Sequence, residues 1–79
     1  MTPEYREHLI EIVTPAIDAL APDETVVCKQ LFPAKLWDLS EESVQQAYGR
    51  HISRLVAEKA LPLEPYGFSS KRHNQYRRT

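Results

Sequence analysis

Pro62 and Pro65 constrain this chain most, because they follow directly on its longest amphipathic run and set the character of what comes next. A proline has no backbone N–H to give to a ladder and breaks a helix interior, so a strand holding two of them belongs at a sheet edge. Leu61-Pro62-Leu63-Glu64-Pro65-Tyr66 alternates apolar with other residues, which suits an extended edge segment. From Gly67 to Asn74 the sequence then reads as a long hairpin loop, and Gln75-Tyr76-Arg77 as the returning strand with Tyr76 turned inward.

Upstream of the prolines, Asp38-Leu39-Ser40-Glu41 has the spacing of a capping box and predicts a helix from Ser40 to Ala60. At 100° per residue, Val44, Tyr48, Ile52, Leu55 and the stem of Lys59 share one face, while Gln46, Arg50, Ser53 and Ala57 lie opposite with Arg54 alongside. One face is core, and the other presents polar and basic groups. Gly49 within this helix costs on the order of 1 kcal/mol relative to alanine, and either permits a close approach or is simply tolerated.

Thr2-Pro3 predicts an N-cap with proline at the first helical position. Tyr5, Leu9, Ile12/Val13, Ala16/Ile17 and Leu20 then form one apolar stripe. Pro15 either kinks this helix or restarts it with Thr14 as cap; a kinked helix ending before Pro22 is expected. Val26-Val27 suits a very short strand or the first turn of a helix through Cys28, Leu31 and Phe32, which Pro33 ends. Leu36-Trp37 is expected to pack in the core.

Seventy-nine residues allow one domain, spanning residues 1–79, with one modest core, and 42% hydrophobic content argues for a globular chain. One cysteine, Cys28, and a start without a basic region and long apolar run lead to an expected cytoplasmic setting. No apolar stretch approaches the roughly 20 residues of a membrane span. His8, His51, His73 and Cys28 lack the close spacing of a zinc site, and no phosphate loop or nucleophile motif occurs, so neither cofactor nor enzyme activity is expected. Charge is the informative part. Residues 1–42 carry nine acids against three bases, whereas the remainder carries two acids against seven bases, within a net charge of −1. Such asymmetry points to nucleic acid or another acidic surface.

Helical segments with a possible tiny strand, a last helix that is long and amphipathic, and then a two-stranded ribbon with a basic loop: this order resembles a winged helix-turn-helix domain. The best-matching stretch is Tyr48-Gly49-Arg50-His51-Ile52-Ser53-Arg54-Leu55-Val56-Ala57-Glu58-Lys59-Ala60-Leu61-Pro62-Leu63. The resemblance implies an α+β, mainly helical fold of three helices followed by a C-terminal two-stranded β-wing, with Ile52, Leu55 and Val56 locking the recognition helix to the core. The long Phe32-to-Ser40 stretch departs from the usual short turn.

Carried onto this chain, the resemblance implies a double-stranded DNA-binding protein, most simply a bacterial or phage transcription regulator. Helix 40–60 would enter a major groove, with Gln46 and Arg50 at base edges and Ser53 and Arg54 at phosphates. The wing, 67–78, would bring Ser69, Ser70, Lys71, Arg72, His73, Asn74 and Arg77 to the backbone or minor groove. A homodimer or protein partner would use the acidic N-terminal half. Competing expectations are a protein-interaction module on the same scaffold, and RNA binding in which Tyr66, Phe68 and Tyr76 stack on bases.

Overall fold

Thr2 opens the first helix as its sequence predicts: its Oγ1 accepts from the Tyr5 N–H at 3.1 Å, and Pro3 takes the first helical position. In the computed structural model, which describes residues 2–68 and 74–79, α1 runs Pro3–Asp18 and continues through Pro15 rather than restarting at Thr14. Leu9, Val13 and Ile17 turn inward from it, while Tyr5 stays at the margin, 37% exposed.

Of the two alternatives at Val26-Val27 the short strand is realised, and the helix begins only after it. Thr25–Val27 forms strand β1, and Cys28–Leu31 forms the short helix α2, whose start is fastened by Gln30 Oε1 accepting the Val27 N–H at 3.0 Å. Phe32 and Pro33 separate α2 from α3, Ala34–Leu39. This short helix overturns the capping box expected at residues 38–41. A cap residue needs non-helical backbone, and Asp38 lies inside α3. The long helix α4 therefore begins later, Glu42–Ala57 with Glu41 at its N-cap, not at Ser40. Instead of a box, Gln45 Nε2 donates to the Trp37 carbonyl at 2.8 Å and ties the end of α3 to the start of α4.

After α4 the chain turns through Lys59, whose φ of 60° lies in the left-handed region. The Ala60 N–H reaches back to the Leu55 carbonyl and the Lys59 N–H to that of Val56, closing the helix with a paired motif usually built on glycine. Lys59 is exposed, so the expected packing of its stem on the core does not occur.

Leu63–Phe68 is strand β2 and Asn74–Arg78 strand β3; with β1 they form an antiparallel sheet in the order β1-β3-β2. The prolines' demand is met, since β2 lies at an edge, with Pro65 opposite Tyr76. The register shifts between Pro65 and Gly67, where φ reaches 108° and only glycine is at ease. The expected loop is thereby shortened: Gly67 belongs to the strand, and Phe68 pairs with Asn74. Among the described residues the fold is α+β and mostly helical, with four helices rather than three and a three-stranded sheet rather than a two-stranded one.

The core gathers α1, α2, α4 and the sheet around Leu9, Val13, Leu31, Ile52 and Leu55, all at most 1% exposed, with Val26, Leu63 and Tyr76 from the strands. Two expected core members fall short: Val44 is 38% exposed, and Trp37 packs only at the margin. Phe32 joins Trp37 and Tyr48 to the core: it stacks on Tyr48 with ring centroids 4.5 Å apart, and Trp37 lies tilted against it at 5.8 Å. Among the described residues no helix is long and apolar enough to cross a membrane.

Candidate functional site

Burying Ile52, Leu55 and Val56 fixes the rotation of α4, and so decides which side chains it shows to solvent. Gln46, Gly49, Arg50 and Ser53 occupy the outward face and, with Asn74 at the start of β3, line an open groove. Four of the residues expected to bind are thus brought to one surface: Gln46, Arg50, Ser53 and Asn74.

The joint between helix and strand is a hydrogen-bonded trio. Ser53 Oγ and the Tyr76 hydroxyl lie 2.7 Å apart, and Asn74 Nδ2 donates to the same Ser53 oxygen at 3.3 Å. Tyr76 is buried with only 3% of its surface exposed, so its hydroxyl has Ser53 as its route to the rim of the groove. Burial pushes the Tyr76 hydroxyl above its ordinary pKa of 10.0, partly offset by the bond to Ser53. Ser53 therefore positions the sheet against the helix, a role that its expected phosphate contact did not include.

Gln46, Arg50, Arg54 and Glu58 follow at steps of four and make a ridge slightly inclined to the helix axis. Arg50 is exposed and forms no ion pair among the described residues, so its guanidinium is available. Arg54 differs. Its Nε lies 3.7 Å from a Glu58 carboxylate oxygen, and the other oxygen of Glu58 is 3.6 Å from Nε of Arg6 on α1. Gly49 adds clearance beside Arg50, since a Cβ built there meets nothing within 4 Å.

Arg77 does not join the groove. Strand side chains alternate, so with Tyr76 directed at α4 its neighbour points to the opposite side of the sheet. There it forms an ion pair with Glu64 of β2, its cross-strand partner, and its guanidinium lies 5.6 Å from the Tyr66 ring centroid. The hydrogen bond to Glu64 holds the Arg77 guanidinium above its ordinary pKa. Parity alone carried this signal, because an inward Tyr76 requires an outward Arg77. Ser69, Ser70, Lys71, Arg72 and His73 lie outside the described residues.

Behind the groove, His51 packs edge-on against Tyr5 of α1 with ring centroids 5.4 Å apart. Its pKa is lowered by burial first and then by neighbouring positive charge, including Arg50 and Arg54, which favours the neutral ring. At Cys28, burial pushes the thiol from 9.0 up to about 12, which disfavours the nucleophilic thiolate.

Comparison of the chain with protein-family models, with curated proteins and with solved structures returns no match.

Proposed function

We propose that the α4 groove binds double-stranded DNA and that the protein is a small winged-helix-like transcription regulator. The observation that carries this reading is the convergence of Gln46, Arg50 and Ser53 on one solvent face of α4 with Asn74 of β3 beside them. A helix is the right width for a major groove, where Arg pairs with the guanine edge and Gln with the adenine edge. The strand order β1-β3-β2, with β1 placed between α1 and α2, also supports a winged arrangement. Charge adds to it, since seven of ten basic residues fall after position 42. The test is a gel-shift titration with random duplex at two salt concentrations. Binding that weakens steeply with salt is expected, and no binding at low salt rejects the reading.

A second reading, a protein-interaction module, is favoured by the other end of the same helix. Glu41 and Glu42 stand at the start of α4, where a phosphate would be repelled, and Leu39 beside them is 77% exposed. In that case substitution of Arg50 leaves partner binding intact and substitution of Leu39 abolishes it.

A further inference from the structure

Glu58 pairs with Arg54, one of the side chains expected to meet a phosphate. It is the last member of the ridge Gln46, Arg50, Arg54, Glu58, and it engages Arg54 along the helix while reaching Arg6 on α1. A basic residue already paired with a carboxylate has less to gain from a phosphate, because the pair must open first. We propose that Glu58 is a selectivity residue of the groove, its carboxylate occupying Arg54 in competition with backbone phosphates. The proposal rests on the DNA-binding reading above.

The competition has a stated chemistry. Each basic side chain that takes a phosphate releases counterions and steepens the salt dependence of binding by about 0.9 in the logarithmic slope. Held by Glu58, Arg54 contributes little to that slope, and sequence-independent attraction to any polyanion is reduced. Arg50, unpaired among the described residues and four positions earlier, keeps its full contribution. The ridge thus favours duplexes that satisfy Gln46 and Arg50 over those that merely offer charge. Arg6 anchors the carboxylate from α1 through its other oxygen, so Glu58 stays beside Arg54 when the helix surface is free of ligand.

The experiment measures affinity for a random-sequence duplex of about twenty base pairs from about 50 to 200 mM salt, for wild type, Glu58→Gln and the double variant Glu58→Gln with Arg54→Gln. Glu58→Gln is expected to steepen the logarithmic slope by about one, so that it loses about threefold more affinity than wild type between the lowest and highest salt, and the double variant to return to the wild-type slope. Circular dichroism before titration verifies that each variant is folded; should Glu58→Gln unfold, Glu58→Ala, which adds no charge of its own, replaces it and predicts the same direction. Binding by wild type with an unchanged slope in the variant overturns the role of Glu58 and leaves the DNA reading standing. Absence of binding by wild type and variants alike rejects that reading and the selectivity role with it.

Discussion

Ser53 and Tyr76 meet hydroxyl to hydroxyl at 2.7 Å, joining the exposed face of α4 to the middle strand of the sheet. One member of this pair is buried and the other lies at the rim of the groove, so its two ends respond unequally to substitution. Ser53→Ala removes the short hydrogen bond of a buried hydroxyl and leaves it Asn74 alone, and is expected to cost about 1–2 kcal/mol, whereas Tyr76→Phe, which leaves Ser53 still accepting from Asn74, is expected to cost about 1 kcal/mol or less. Urea unfolding of both single variants and the double variant measures the difference and the coupling. Equal costs would show that the pair is not load-sharing in this way.

The left-handed Lys59 offers a stabilising change. A side chain in that backbone region costs about 1–2 kcal/mol that glycine does not incur, and the helix-closing bonds to Leu55 and Val56 need no lysine side chain. Lys59→Gly is therefore expected to raise stability by about 1 kcal/mol, read as a higher denaturation midpoint at unchanged slope.

Phe32 links the marginal Trp37 and Tyr48 to the buried core. Truncation to alanine should cost about 3–5 kcal/mol, a large part of a small domain's stability, while Phe32→Leu keeps most of the volume and should cost nearer to 1–2 kcal/mol. Trp37, the one tryptophan, supplies the fluorescence signal for both measurements.

Alkaline pH is expected to destabilise the protein through Cys28. Its folded-state pKa is raised, so the unfolded chain loses the thiol proton first and the folded state holds it longer. The stabilising contribution is complete below pH 9.0 and is lost as pH rises from there towards about 12. Tyr76, raised above 10.0, acts in the same direction at the upper end of that window. Cys28→Ala should flatten the decline between pH 9.0 and 10, where the tyrosine has yet to contribute fully. Unfolding titrations across this range give the comparison.

The two arginines Arg50 and Arg77 separate the groove from the opposite side of the sheet. Arg50→Gln is expected to cost about 1–3 kcal/mol in duplex binding. Arg77→Gln, already paired with Glu64 and pointing away, should change duplex affinity little while loosening the β2–β3 edge. Equal losses from both would place the DNA across the sheet rather than along α4.

Much of this arrangement was legible in residues whose geometry is rigid. Pro62 and Pro65 put β2 at an edge, Tyr76 turned inward, and Ile52, Leu55 and Val56 seated the long helix. What escaped depends on competition between neighbours. Asp38 suits a cap and also sits comfortably inside a helix, and the short α3 that begins after Pro33 decided between them. Val44 matches the apolar stripe by angle but lies in the first turn of α4, beyond the reach of the core. In the groove, Gln46 and Arg50 could be placed together from spacing alone. The hold of Glu64 on Arg77 could not, because it depends on the register across the bulge at Gly67.

The strand order carries a consequence for how the chain is assembled. The middle position of the sheet belongs to the strand made last of the three, so β1 and β2 have no partner in each other and wait for β3. Thr25 finds Arg77 only after about fifty residues of chain have been gathered between them, a closure that slows folding relative to helices formed from near neighbours. During synthesis the helices can form on the emerging chain while two strands remain open-edged. A ribosome stalled before Asn74 would display a protein whose sheet does not yet exist.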